Sequence, residues 1–232
     1  MAVGLLDSCL WACLLGLLWR VSCVLLTRKP TSRPTRRRSE HCRLAVFLGS
    51  GGHTSEALML LSALDFNRYS PRTYITSEGD ALSARKAAAL ELSRAADLGN
   101  HVDRVRERYT ILTIPRARRV HQPLYTTPVT AARSLLACIY HVTVIPFVTR
   151  TYFADVLILN GPGTCFVLCL AVFLNRILGL ESPRLVYVES FARVHSLSLS
   201  GKLLRPFVDR FIVQWPGLLR DNRRGDHLGW LV

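Results

Sequence analysis

Leu44-Ala45-Val46-Phe47-Leu48 is apolar without a break, ends in Gly49-Ser50-Gly51-Gly52, and passes through His53-Thr54 into a segment with helical spacing. A strand apolar at every residue has no side for water, so it belongs inside a sheet covered on both faces. Residues 55–64 then put Ala57, Leu58, Leu61 and Leu64 on one helical face. Glycine lets a backbone approach a ligand closely. The helix that follows offers free N–H groups and a partial positive charge to an anion. A tight turn with no ligand is the plainer reading of the same residues. Thr54 stands where a dinucleotide fingerprint has its third glycine, and no Gly-Lys-Ser/Thr follows. The turn therefore fits neither a nicotinamide cofactor nor a P-loop.

The same alternation recurs along the chain. Strand-like runs fall at 73–76, 109–114, 155–159, 184–188 and 210–213, with helix-like segments between them. This predicts an α/β fold: a single Rossmann-like domain on a parallel sheet, with ligands at the carboxyl ends of its strands. Two more loops reach that edge. Asn160-Gly161-Pro162-Gly163-Thr164 is a second glycine turn between strand and helix. Asn160 can bond its own backbone or a ligand, Gly161 and Gly163 open the turn, and Thr164 can cap a helix or meet a phosphate oxygen. Two such turns over one sheet suit a diphosphate. In Val186-Tyr187-Val188-Glu189-Ser190-Phe191, Glu189 ends an apolar strand. It can act as a base or accept from sugar hydroxyls, or it can cap the next helix. An imidazole titrates near neutrality, so His53 is either a base or a solvent-facing loop histidine.

The amino terminus carries a different signal. Residues 8–27 are mostly apolar and broken only by Arg20, and about 20 such residues span a bilayer as a helix. A cleaved signal would have a basic start and a shorter apolar core; this chain starts MAVGLLD. Residues 1–27 therefore read as a transmembrane anchor, with Trp11 and Trp19 at interfaces and Arg20 snorkelling. Arg28, Lys29, Arg33, Arg36, Arg37, Arg38 and Arg43 follow, and positive flanks stay cytoplasmic. Residues 28–43 are a basic linker punctuated by Pro30 and Pro34, and residues 44–232 form the body, facing the cytosol. The formal net charge of +14 calls for anionic partners.

Two central segments are unusually apolar, 134–149 and 165–174. Both are expected to be buried helices, with a helix lying on the bilayer as the alternative. The basic Pro115-Arg116-Ala117-Arg118-Arg119 before the first would suit a membrane interface. Seven cysteines form no C-x-x-C pair, which argues against a zinc site or a disulfide framework. No metal and no cofactor is expected.

Gly49-Ser50-Gly51-Gly52-His53-Thr54, the Asn160–Thr164 turn, Val188-Glu189-Ser190-Phe191-Ala192-Arg193-Val194 and Phe211-Ile212-Val213-Gln214-Trp215-Pro216 together resemble one family. It is that of the membrane-anchoring subunits of the two-chain UDP-N-acetylglucosamine transferase of the endoplasmic reticulum. The resemblance covers roughly residues 44–216. More distantly the chain is similar to the acceptor half of the bacterial lipid II glycosyltransferase, a two-domain enzyme of the B fold. The resemblance implies a half-enzyme at the endoplasmic reticulum membrane that is inactive alone and recruits a soluble donor-binding subunit. Its acceptor would be dolichyl-diphosphate N-acetylglucosamine. Gly49, Ser50, Gly51, Gly52, Thr54, Asn160, Gly161, Gly163 and Thr164 would hold the diphosphate, with His53 and Glu189 in catalytic roles. The family's tail is implied to dock the partner, which assigns docking to Leu228, Gly229, Trp230, Leu231 and Val232. This tail, His227-Leu228-Gly229-Trp230-Leu231-Val232, departs from the family's pattern. A non-catalytic membrane scaffold is the competing reading, but a scaffold has no need of two phosphate-type turns. A nucleic-acid role is not expected, because aromatic and basic residues do not interleave as a stacking platform.

Overall fold

The computed structural model describes residues 2–27, 41–97, 108–119, 122–161, 163–219 and 225–231. The first 13 positions of the expected linker, residues 28–40, lie outside the described residues, as do Pro162, residues 220–224 and Val232. Seven strands pair in parallel in one sheet: β1 Leu44–Leu48, β2 Arg72–Ser77, β3 Tyr109–Ile114, β4 Val156–Asn160, β5 Arg184–Val188, β6 Arg210–Val213 and β7 Asp226–His227. Their order is β3-β2-β1-β4-β5-β6-β7, so the winding reverses between β1 and β4.

Side chains alternate across a strand, and β1 divides accordingly. Ala45 and Phe47 join one core with Leu157, Leu159, Leu185, Tyr187 and Phe211. Leu44, Val46 and Leu48 join the opposite core with Ala57, Leu61, Tyr74 and Ala87. Helices α2 (Gly52–Ser62) and α3 (Ala81–Asp97) cover that second face. A buried pair stiffens it: Arg72 Nε and Nη2 donate to the two Glu91 carboxylate oxygens at 2.6 and 2.7 Å, and the Tyr74 hydroxyl donates to Glu91 at 2.6 Å. Each fully buried large apolar side chain contributes about 1.5–3 kcal/mol.

The first face is covered by α4, the helical stretch Leu124–Val148, by α5 (Thr164–Leu178) and by α6 (Leu199–Leu204). The expected buried helix at 165–174 is buried, with Cys165, Val167, Leu168, Cys169, Ala171, Val172 and Phe173 inside. It stops at Gly179, whose left-handed φ of 74° lets Leu180 N–H reach back to the Asn175 carbonyl at 2.8 Å.

The expectation for 134–149 needs correction. α4 packs Ser134, Cys138 and Val142 inward and continues through a π-helical turn at Tyr140–Val144. Its outer side is apolar and uncovered: Val129 is 74% exposed, Leu136 68% and Phe147 71%. Among residues whose side chains are described, Leu124–Val148 is the helix long and apolar enough to cross a membrane. Its inner face is nevertheless packed against α5 and the sheet, which leaves the outer face the uncovered side.

The terminal helix α1 spans Ala2–Thr27. Its Trp11, Leu15, Leu18 and Trp19 are exposed. Arg20, expected to snorkel, instead donates to the Ile177 carbonyl at 3.0 Å and the Arg176 carbonyl at 3.4 Å. A cation at the last carbonyls of α5 satisfies orphan acceptors and complements the helix dipole.

Candidate functional site

Both glycine turns leave the carboxyl ends of adjacent central strands, β1 and β4. That is the topological switch point, where crossovers on either side run apart and leave a crevice. The first turn differs from its sequence reading in one respect: α2 begins at Gly52, inside the glycine motif. Gly51 is its N-cap, with φ 65° and ψ −127°, a conformation that glycine adopts without strain, and no side chain caps the helix. The second turn is built alike. Gly163 is the N-cap of α5, again with no side-chain cap. Two neighbouring helices thus present uncapped first-turn N–H groups at one crevice. By contrast, α6 is capped by Ser198, whose hydroxyl accepts from Gly201 N–H at 2.9 Å.

A Cβ on Gly51, Gly52 or Gly163 would meet nothing within 4 Å. A Cβ on Gly161 would sit 3.0 Å from the Gly49 Cα, and Gly161 has φ 135°. The two turns therefore touch through glycine, with Gly49 buried and Ser50 exposed on the rim.

The expected ligand-binding side chains are not all turned toward that rim. The Thr54 hydroxyl is buried and lies 2.6 Å from the Ser83 hydroxyl of α3. The Thr164 hydroxyl accepts from Ala117 N–H at 3.3 Å. What these two threonines present at the helix starts is backbone N–H. Asn160, fully buried, is spent within the protein: its Oδ1 lies 2.9 Å from His53 Nδ1 and its Nδ2 donates to Glu56 at 3.1 Å. His53 is half-buried, and this bond involves Nδ1 and not its other ring nitrogen, Nε2.

Glu189 is buried and held by its own loop. One carboxylate oxygen accepts from Ser198 N–H and Ser198 Oγ, each at 3.0 Å, and the other from Ser190 N–H at 3.2 Å. A Cβ on Gly201 would lie 2.2 Å from that first oxygen, so only glycine fits beneath it. The carboxylate thus sits at the start of the next helix, bonded to its N-cap Ser198. Burial, with Glu189 nearby, raises Tyr187 well above the ordinary phenol range.

Two neighbours complete the rim. Thr164 ties the basic 115–119 loop to the second turn. That loop is fastened to α4 by Thr130 Oγ1, donating to the Ala117 carbonyl at 2.8 Å, and by Ser134 Oγ, donating to the Pro115 carbonyl at 2.8 Å. The crevice thus adjoins the start of the apolar outer face of α4. On the other side, Phe191, Trp215 and Trp230 form an aromatic group with ring centroids 5.1 to 6.1 Å apart. The tail is bound to its own sheet edge by β7 and by Leu231 N–H donating to Gln214 at 3.1 Å. It leaves Leu228 and Trp230 exposed.

Sequence reasoning missed Glu56 and Ser190. The signal for Glu56 was its place three residues after His53, which puts both on one face of α2.

Residues 44–231 match the family model described as "Oligosaccharide biosynthesis protein Alg14 like". The chain is similar to the UDP-N-acetylglucosamine transferase subunit ALG14 of Cryptococcus neoformans, 49% identical over 212 residues, covering 90% of this chain and 89% of that one. It is 44% identical over 206 residues to the subunit of that name from Schizosaccharomyces pombe, covering 89% of this chain and 91% of that one. Against the Mus musculus subunit, identity is 42% over 194 residues, with 83% and 84% covered. Two solved structures overlie 75% of the chain: Acinetobacter baumannii MurG, TM-score 0.42 and 13% identity, and Arabidopsis thaliana UGT89C1 complexed with quercetin, TM-score 0.41 and 11% identity. The chain spans 41% and 44% of those two proteins.

Proposed function

The chain belongs to the Alg14-like family of oligosaccharide biosynthesis proteins, and from that premise we propose that it is the membrane-anchoring, acceptor-binding subunit of a UDP-N-acetylglucosamine transferase. In this reading it adds the second N-acetylglucosamine to dolichyl-diphosphate N-acetylglucosamine, together with a soluble subunit that holds the donor. The observation that carries the reading is the pair of uncapped, open glycine turns side by side at the β1/β4 switch point. Each first turn offers backbone N–H groups to one phosphate, and Arg116, Arg118 and Arg119 stand on the adjoining loop. The outer face of α4 and the exposed side of α1 keep the crevice at the bilayer, where the acceptor's lipid tail lies.

His53 is the proposed base. The acceptor sugar's hydroxyl oxygen attacks the anomeric carbon of the donor, and its proton passes to His53 Nε2. The bond from that carbon to the diphosphate oxygen breaks, and UDP leaves with the electron pair. Glu189 serves by shaping the β5–α6 loop rather than by touching substrate. The donor half of a B-fold glycosyltransferase belongs to the partner. Leu228, Gly229, Trp230 and Leu231 dock that partner beside the crevice, together with Val232, which lies outside the described residues. The body faces the cytosol at the endoplasmic reticulum membrane.

A radiolabelled transfer assay tests this. It uses UDP-N-acetylglucosamine, a short dolichyl-diphosphate N-acetylglucosamine acceptor, and the purified chain with and without the soluble partner. Transfer with both chains and none with either alone is expected. Micromolar nucleotide-sugar binding by this chain alone would overturn the division of labour. Transfer undiminished in Gly163→Val would leave only the scaffold role. Protease added to intact microsomes is expected to digest the region after Cys42; its protection would reverse the topology.

A further inference from the structure

Glu56 accepts two hydrogen bonds from buried partners on two other elements. Its Oε2 takes one from Asn160 Nδ2 at 3.1 Å, at the end of β4, and its Oε1 takes one from Ser190 Oγ at 2.8 Å, in the β5–α6 loop. Asn160 Oδ1 in turn lies 2.9 Å from His53 Nδ1. A carboxylate only accepts hydrogen bonds, so the end of the Asn160 amide facing Glu56 has to be its NH2. The carbonyl end then faces His53 and accepts too. His53 Nδ1 must therefore carry the proton, and in the neutral ring Nε2 keeps its lone pair. The reverse amide orientation would set a carbonyl oxygen against a carboxylate oxygen and an NH2 group against the ring.

We infer that Glu56 is a positioning residue that fixes the tautomer of His53 through Asn160. It rests on the reading of His53 as base, because that role requires a bare Nε2. Free histidine favours the opposite tautomer, with the proton on Nε2, so a base at this position needs such a constraint. Spacing supplies it: His53 and Glu56, three apart on α2, lie on one helical face toward the end of β4. A purely structural carboxylate would pin the Ser190 loop and leave the ring indifferent.

The test uses the full chain, labelled with 15N-histidine, in lipid nanodiscs at alkaline pH, with the His53 signals assigned by their loss in His53→Gln. The wild type is expected to show Nδ1–H alone. Glu56→Met, similar in shape but without acceptors, frees the amide and admits the Nε2–H tautomer. Glu56→Gln also admits it, since a glutamine carbonyl can accept from Ser190 Oγ while its NH2 donates to Asn160 Oδ1 and reverses that amide. In transfer assays with the partner chain, Glu56→Met and Glu56→Gln should each lower kcat several-fold, less than His53→Ala does, with acceptor KM little changed. An Nε2–H tautomer in the wild type, which is readable even if Glu56→Met fails to fold, overturns the inference. So does a tautomer unmoved in Glu56→Met. A tautomer that shifts while kcat stays constant overturns instead the reading of His53 as base.

Discussion

The turns after β1 and β4 look alike in sequence and use their glycines differently. After β1, Gly51 and Gly52 face open space, and Gly51 takes a positive φ at the helix start. After β4, Gly161 is pressed on the Gly49 backbone with φ 135°, and Gly163, with an ordinary φ of −48°, faces open space. Gly161 is thus required by contact and conformation and Gly51 by conformation alone, and Gly52 and Gly163 are left for whatever enters. The close approach of Gly161 to Gly49 brings the two helix starts to one rim. What a Cβ would meet separates the two purposes, and composition does not. The threonines that follow make the same point, because each hydroxyl is turned into the protein while its N–H remains at the helix start.

Substitutions can break or sharpen that contrast. The largest effect is expected from Gly161→Val. It strains a left-handed backbone by about 1–3 kcal/mol and drives a side chain into Gly49, so both thermal stability and transfer should fall. A variant as stable as the wild type would dissolve the distinction between the turns. Gly163→Val should separate fold from ligand. With ordinary φ and open space around it, stability should fall by only about 1 kcal/mol, for the poorer helix cap, while acceptor use is lost; the readouts are a melting curve and the transfer assay. His53→Ala should lower kcat by about 100- to 10,000-fold without weakening acceptor binding, and Glu189→Ala should cost stability as well as rate. If Glu189→Ala slowed turnover alone, its carboxylate would belong to the chemistry. The smallest effects should come from Thr54→Val and Thr164→Val. Each forfeits about 1 kcal/mol for one internal hydrogen bond with transfer unchanged. A loss of acceptor affinity in either would put its hydroxyl on the phosphate.

Much of the sheet was legible because its signal is local. Unbroken apolar runs at Leu44–Leu48 and, after Arg184, at 185–188 are what a strand buried on both faces requires. Boundaries drifted where the motif itself is irregular. α2 starts three residues before the expected 55, since its first turn is made of glycine, histidine and threonine, poor helix formers that tertiary contacts override. The two-residue β7 carries no pattern at all, and it forms because Asp226 and His227 meet the β6 edge.

The candidate site divides in the same way. That glycine turns, His53 and Glu189 gather at one edge followed from strand direction alone, because parallel strands send every β–α loop to the same side of the sheet. Which atoms face the crevice did not follow. Asn160 meets His53 and Glu56 across more than a hundred residues of chain, the Thr54 hydroxyl finds Ser83, and Glu189 finds Ser198. The outer face of α4 was undecided as well, since an apolar helix has the same composition whether covered by protein or by lipid. The sequence by itself determined the apolar periodicities, the flexible backbone positions and the charge, because these act between near neighbours. Only the tertiary structure decided which polar groups are used up inside and which apolar face is left uncovered. Both depend on partners that chain order does not bring together.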